Sequence, residues 1–350
     1  MDLLATPRSP GRTATGARRA ALLALAGLAL AGCGVRVETP PPPAPTPGPL
    51  EIVRQDAAET SLELSHLAAR AAEETLDEEL FAVLERTRLE AEAHLEALGG
   101  VYSAEEGGVV DPSTLTEESE GAEDEEDAAG DGEEAPAPVT PGELLAELVD
   151  SAAYARTAAD SVEDAGLAQL LAVIASSRLV EADTIARAVE AEDRPDLSAA
   201  PPLSLPAGVP VSAIEKIVLA EDQARFAFES IAARSPEGGT RNRALASSAR
   251  HRVVSDTWAR LAGLSEPGLD PRQVVYALEG SLADAASRKE LAARIEQALV
   301  ESYAALVALA EPGSRAELAA LHTEAVGAAR RWGLVPSALP GLPSTEDASD

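Results

Sequence analysis

Apolar residues recur every three or four positions through most of the chain after residue 50, in segments rich in alanine and leucine. This period is typical of amphipathic helices that bury one face, and we find no convincing alternating segment of the kind that forms strands. The pattern predicts eight helices, near residues 50–72, 75–98, 142–163, 166–191, 212–234, 241–262, 282–310 and 315–332. We therefore expect an all-α protein.

Several predicted helices begin and end at recognisable boundary signals. Thr140, Ser212 and Ser314 each stand three residues before a glutamate, which predicts a capping box at the start of the third, fifth and eighth helices. Gly99 follows the second helix and Gly313 the seventh, as expected where helices end.

A segment rich in proline and alanine, residues 193–210, separates the eight helices into two sets of four. Helices with apolar inner stripes and short connections bury those stripes as antiparallel bundles. We expect two tandem four-helix up-and-down bundles, at 50–192 and 211–335, with 193–210 as the linker. Residues 336–350 are expected to form a disordered tail.

An acidic segment interrupts the first predicted bundle. Residues 103–140 hold fourteen acidic residues and no Lys, Arg or His, so self-repulsion and scarce apolar groups predict disorder. The simplest interpretation is a solvated loop. The alternatives are a partner-binding arm or a cation buffer, which would bind calcium weakly through residues 103–134 although no EF-hand loop is present.

The amino terminus has the pattern of an export signal. Four arginines precede an apolar run at residues 20–31, which is too short to span a bilayer, and Leu30-Ala31-Gly32-Cys33 closes the run. The closing tetrapeptide looks like a bacterial lipobox. That likeness implies a signal peptide at residues 1–32 and acylation of Cys33, by diacylglycerol and a further chain such as palmitate, which together anchor firmly.

Residues 33–49, which begin at the lipobox cysteine, are proline-rich and predict an extended tether. We expect the protein to be exported and anchored at the outer face of the cytoplasmic membrane. An ordinary secretory signal is the alternative to a lipoprotein signal, and the export route, general secretory or twin-arginine, stays open.

Composition narrows the classes of function. The formal net charge of -32 and the presence of only two lysines argue against nucleic-acid partners, because phosphate binding needs clustered cations. The single cysteine excludes an intramolecular disulfide and any multi-cysteine metal site. The sequence also contains no Gly-x-Ser-x-Gly elbow, glycine-rich phosphate loop or His-Glu-x-x-His motif.

Five short segments of the second half, taken in order and spacing, resemble a known family. They are residues 219–228, 276–278, 291–303, 325–332 and 339–343. Together they resemble the ferritin-like domain of unknown function of high-GC Gram-positive bacterial lipoproteins, over about residues 211–343. The resemblance implies a four-helix up-and-down bundle and no established activity. Family members often have Glu-His where this chain has Glu221-Asp222, and aromatic residues where it has Arg225 or Glu229. Residues 94–100 resemble a companion helical module.

Four ionisable residues are predicted to point into the second bundle, one from each helix. Glu221, His251, Glu296 and His322 each lie on an otherwise apolar stripe. Two glutamates and two histidines suit a single iron, manganese or zinc ion, but they do not supply the six ligands of a di-iron site. Interhelical hydrogen bonds are the alternative. The one Glu-x-x-His of the chain, Glu63 to His66, lies at the edge of its stripe and is expected to be solvated.

Three hypotheses for function follow. The leading one is a non-enzymatic, membrane-anchored envelope lipoprotein whose helical bundles bind or scaffold an envelope protein or other partner. The second is a metal-binding ferritin-like redox or storage protein that uses the Glu/His cluster. The third is the acidic cation buffer.

Overall fold

The computed structural model describes residues 47–103, 108–109 and 138–343, all within one compact unit that begins at Thr46. The predicted signal peptide, Cys33, most of the tether and most of the acidic insert lie outside the described residues. The described part contains eight helices: α1 Pro49–Glu73, α2 Glu78–Ala97, α3 Pro141–Ser161, α4 Ala165–Ala188, α5 Val211–Arg234, α6 Gly239–Leu261, α7 Ala285–Leu309 and α8 Ala316–Arg331. The all-α prediction is confirmed.

The eight helices pack first as consecutive pairs, α1 with α2, α3 with α4, α5 with α6 and α7 with α8. Helix α4 also packs against α2, α7 and α8, so it lies between the two sets of four. Its sequence explains this position, because sixteen of its residues are buried and they include nearly the whole stretch from Leu171 to Ala186. A helix that buries residues on most of its surface needs other helices to cover it on several sides.

One hydrophobic core runs through both sets of helices. Leu171 and Ile174 of α4 belong to the same buried cluster as Leu299 of α7 and Val326 of α8. The bundles expected at 50–192 and 211–335 therefore share an interior. The segment 193–210 has no helix, but it is not a free linker, because Leu197 is buried and lies against Gly327, where an added Cβ would come within 2.9 Å of the leucine.

A buried arginine fastens the start of α8 to the end of α3. Arg315 is 2% exposed, and its guanidinium donates to the carbonyls of Ala159, Val162 and Ala310. Asp160 Oδ1 accepts from the backbone N–H groups of Arg315 and Ala316, at 2.7 and 3.1 Å. The unsatisfied donors of the first turn of α8 are thus capped by another helix.

This arrangement corrects one of the predicted capping boxes. The residue that caps α8 is Arg315, not Ser314, and its side chain makes no capping bond. The box at Ser212 is also wrong, because α5 begins at Val211 directly after Pro210. The box at Thr140 is confirmed, with both reciprocal bonds to Glu143 present.

The carboxyl-terminal segment corrects the predicted tail. Residues 336–343 pack on the helices instead of being free: His94 Nε2 donates to the Ala338 carbonyl at 2.8 Å, and His322 Nε2 donates to the Pro340 carbonyl at 3.0 Å. Only residues 344–350 of the expected tail lie outside the described part. The tail prediction was wrong over 336–343 because buried histidines supply partners that the composition of the tail does not reveal.

Two smaller features complete the fold. Tyr102–Ser103 pairs with Gly108–Val109 as a two-residue antiparallel ladder at the start of the acidic insert, where no strand was predicted. Among the described helices, only α4 is long and apolar enough to cross a bilayer, and 67% of its most apolar window is buried inside the protein. That burial is what a core helix requires.

Candidate functional site

A cavity of about 270 Å³ opens on the side of the second helical set, between α6 and α8. Helix α5 packs against α6 and α7, and α7 against α8, but α6 and α8 make few close approaches to each other. Small side chains line the gap from both helices, namely Ala246, Ser247, Ala325 and Ala328. The size lies just below the usual range of about 300–1,000 Å³ for pockets that hold small molecules.

The floor of the cavity is a buried polar network contributed by three helices. His251 of α6 lies between two carboxylates: its Nδ1 is 2.7 Å from Glu221 Oε2, and its Nε2 is 3.4 Å from Glu296 Oε1. Tyr303 of α7 donates its hydroxyl hydrogen to Glu221 Oε1 at 2.5 Å. Relative exposure is 7% for His251 and at most 2% for the other three, so these charges are held away from bulk water.

The network holds a proton on the imidazole. Burial opposes protonation of His251, but the negative charges of Glu296 and Glu221 outweigh it and raise the pKa of His251 to about 10. Burial, together with the charge of Glu221, also raises the pKa of Tyr303 well above its usual value. At neutral pH the histidine is an imidazolium and the tyrosine is a neutral donor.

Stacked rings position the histidine. His251 lies parallel to Phe228 at 5.3 Å between ring centroids, and Phe228 in turn stacks on Trp332 at 5.5 Å. The guanidinium of Arg243 lies 5.4 Å from the centroid of Trp332. The stack thus runs from the buried histidine to an exposed arginine of α6 and restrains the orientation of the imidazole.

Glu296 is the least satisfied member of the floor. Its side chain is 2% exposed, and among the described residues no group hydrogen-bonds to its Oε1. The nearby His251 Nε2 lies at 3.4 Å, which is within ion-pair distance but longer than an ordinary N–H···O hydrogen bond. A buried carboxylate oxygen without a donor is costly, and Glu296 is one of the residues that line the cavity.

The other polar residues of the cavity are mainly cationic. Arg250 forms a bidentate pair with Glu324, with Nε 2.9 Å from Oε1 and Nη2 2.5 Å from Oε2. Arg243 and Arg331 are exposed and line the same cavity. Within the described part of the chain neither of these two forms an ion pair, so their charges are available to a ligand.

Three of the four predicted inward-pointing groups meet, and the fourth does not. Glu221, His251 and Glu296 form the floor, as the apolar stripes indicated. His322 is fully buried, but its Nδ1 lies 2.7 Å from Ser176 Oγ of α4 and its Nε2 bonds to Pro340. Burial lowers the pKa of His322 to about 4. The prediction that it joins the other three is corrected, because α8 packs between both sets of helices and this face meets α4.

The floor does not fit a metal ion. Both nitrogens of His251 face carboxylates, and the 2.7 Å between Nδ1 and Glu221 Oε2 leaves no room for a metal ion between these two groups. Over the described ranges no group of three His, Cys, Asp or Glu side chains is arranged to hold a metal ion. The expectation of iron, manganese or zinc on Glu221, His251, Glu296 and His322 is therefore not supported by the geometry.

Sequence reasoning missed a second buried polar cluster, in the first set of helices. Glu90 of α2 and Glu181 of α4 lie close together. Arg86 Nη2 is 2.8 Å from Glu181 Oε2, and Arg330 of α8 reaches Glu181 Oε1 at 3.6 Å. Burial, assisted by the charge of Glu181, raises the pKa of Glu90 to about 8. Glu181 lies among the polar residues of the segment 176–184 of α4, so no break in an apolar pattern marks it in the sequence.

The Glu-x-x-His of α1 behaves as predicted. Glu63 and His66 are both exposed, on the face of the helix away from the core. They are not part of the cavity.

Comparison with known proteins finds one match to a family of uncharacterised domains. Residues 213–344 match the profile of a domain of unknown function, DUF4439. The match covers α5 except for its first two residues, all of α6 to α8, and the whole cavity floor. No curated protein and no solved structure matches the chain.

Proposed function

We propose that this protein is a membrane-anchored lipoprotein of the bacterial envelope, and that its second helical set is a non-enzymatic binding module for a small ligand. The observation that carries the proposal is the cavity between α6 and α8, with its charged floor and its exposed arginines. A concave, partly apolar site with a few convergent polar groups is the usual form of a ligand site.

The state of the floor favours binding over catalysis. A general base at neutral pH needs a pKa near 7, and His251, with a pKa of about 10, already holds its proton. Tyr303 keeps its proton as well and uses it to bond Glu221. The described floor is therefore suited to orient and neutralise a ligand.

The anchor is proposed from the sequence. Leu30-Ala31-Gly32-Cys33 has the form of a lipobox, and the proline-rich residues 34–49 would hold the helices away from the membrane. Because the chain is strongly anionic, the lipid on Cys33 would make the attachment, and a basic patch would not.

Filling the cavity tests the binding role. Ligand-observed NMR would first identify fragments that bind the full chain. The same screen would then be repeated on Ala325→Leu, which places a larger apolar side chain in the cavity. We expect several fragments to lose binding in this variant and to keep it in Ala249→Leu, which changes an exposed alanine of α6. A screen with no fragment sensitive to Ala325→Leu would contradict the proposal.

Replacing the cysteine tests the anchor. In a bacterial host that processes lipoproteins, we expect the wild-type chain in the membrane fraction and Cys33→Ala in the soluble or secreted fraction. Thr39→Ala, in the tether, is the control and should stay with the membrane. Retention of Cys33→Ala in the membrane fraction would show that another segment makes the attachment.

A further inference from the structure

The two ends of the cavity carry opposite charges. At the floor, the carboxylates of Glu221 and Glu296 face a single imidazolium, that of His251, so the buried network has an excess negative charge. Glu296 Oε1 receives no hydrogen bond from any described residue, although its side chain is 2% exposed. The group that best satisfies this floor is a cationic hydrogen-bond donor, because it supplies both the missing charge and the missing hydrogen.

The exposed end of the cavity has the opposite requirement. Arg250 is neutralised by its bidentate pair with Glu324. Arg243 stacks on Trp332. Neither Arg243 nor Arg331 has a carboxylate partner in the described part of the chain. Two uncompensated guanidinium groups beside one opening suit a carboxylate, which they can bind by paired N–H groups.

Between the two ends the cavity wall is apolar. Val254 of α6, Leu299 of α7 and Leu321 of α8 line it, together with the alanines of α6 and α8. A volume of about 270 Å³ accommodates a short aliphatic chain with a polar group at each end. The wall contributes affinity through the burial of apolar surface and supplies no polar contact along its length.

We infer that this cavity binds a small amino carboxylate, with its ammonium group on Glu296 at the floor, an aliphatic chain along the wall, and its carboxylate between Arg243 and Arg331. The inference rests on the proposed function, since it names the class of ligand for the same site. A metal ion is the competing occupant of an acidic floor, and His251, flanked by carboxylates through both ring nitrogens, does not suit one.

Titration calorimetry on the full chain in detergent tests this assignment. The probes are linear ω-amino carboxylates of about four to eight carbons, each compared with the alkanoate and the alkylamine of the same length. We expect at least one amino carboxylate to bind about tenfold or more tightly than both of its singly charged analogues, because each end then meets an opposite charge.

Two variants separate the two ends. Glu296→Gln should weaken the binding of the amino carboxylate and of the amine by about tenfold, and it should leave the binding of the alkanoate unchanged. Arg331→Gln should weaken the binding of the amino carboxylate and of the alkanoate, and it should leave the binding of the amine unchanged. Glu301→Gln and Arg260→Gln, exposed residues of α7 and α6, are the matched controls and should bind like the wild type. Because Arg331 is exposed, its variant tests the inference even if Glu296→Gln folds poorly.

The possible outcomes distinguish the inferred ligand class from the proposed binding function on which it rests. Alkanoates that bind as tightly as amino carboxylates would overturn the role of the floor. Stoichiometric binding of Mn²⁺ or Zn²⁺ that is lost in Glu296→Gln would replace the ligand class with a metal. Fragments sensitive to Ala325→Leu, together with no binding of any amino carboxylate, would overturn the inference and leave the binding module standing.

Discussion

Whether His251 keeps its proton decides the charge of the cavity floor. The two neighbouring carboxylates raise its pKa in the folded chain to about 10, above the unfolded value of about 6.5. A group with a raised folded pKa contributes stability that is fully present below its unfolded pKa and is lost as the pH rises through its folded pKa. The interaction therefore stabilises the folded chain at neutral pH and ceases to do so in alkali.

This gives a prediction for unfolding in urea. The wild type should be more stable than His251→Gln by on the order of 1–3 kcal/mol near pH 6, and the difference should shrink as the pH approaches about 10. His66→Gln, at an exposed position of α1, should follow the wild type at every pH. A gap that stays constant with pH would show that His251 does not carry the proton.

The buried Glu90 has a pH dependence of the same direction as His251, but over a lower pH range. Burial and the charge of Glu181 raise its pKa from 4.5 to about 8. The stabilising effect of the neutral form is complete below the unfolded pKa and disappears as the pH rises to about 8, where the carboxyl ionises beside another carboxylate.

Glu90→Gln should therefore become more stable relative to the wild type as the pH increases. Between pH 5 and pH 8.5 we expect the difference in the free energy of unfolding to change by on the order of 1–3 kcal/mol in favour of the variant. Glu92→Gln, whose carboxylate pairs with Arg88 and is half-exposed, should show no such trend. A difference that is the same at both pH values would argue against proton uptake by Glu90.

At the scale of the element, the first turns of the helices show which caps the local sequence can predict. The capping box of Thr140 and Glu143 was predictable because all of its atoms lie within one turn of α3. The same spacing at Ser314 was misleading, because Asp160 of α3 supplies the cap for α8 instead. A local motif predicts a cap only where no other part of the chain competes for the same N–H groups.

The capping box at the start of α3 makes a measurable contribution to the free energy of unfolding. Thr140→Ala should lower the free energy of unfolding by about 1 kcal/mol, because backbone donors of the first turn lose their acceptor. Thr157→Ala, at an exposed position of the same helix, should be neutral or slightly stabilising, since alanine has the higher helix propensity. Thermal unfolding followed by circular dichroism measures both, and equal effects of the two changes would show that the cap contributes nothing.

At the scale of the whole molecule, the shared core changes the domain picture drawn from the sequence. A segment rich in proline and alanine between two sets of helices predicted two tandem four-helix bundles joined by a linker. The common buried cluster and the contacts of α4 with α7 and α8 join them. Elements that share one interior are expected to unfold together, since neither set can be exposed without uncovering the other.

We therefore expect one cooperative transition for all eight helices. The two tryptophans, Trp258 and Trp332, report on the second set, while far-ultraviolet circular dichroism reports on both, and their midpoints should coincide. Arg315→Ala should lower both midpoints together, with a loss of about 3 kcal/mol or more, because three buried carbonyls lose their donor. Two separate transitions would contradict the shared core.

The sequence by itself determined the eight helices and the burial of Glu221, His251 and Glu296, because a period of 3.6 residues is a local property that requires no knowledge of neighbours. Only the tertiary structure decided which groups meet. His322 is as buried as predicted, yet it faces Ser176 of α4, and the residues 336–343 pack where a tail was expected. An apolar stripe shows that a side chain points inward, but the partner of that side chain depends on which helix packs against the stripe. The cavity likewise depends on tertiary packing, because it exists only where α6 and α8 stand apart.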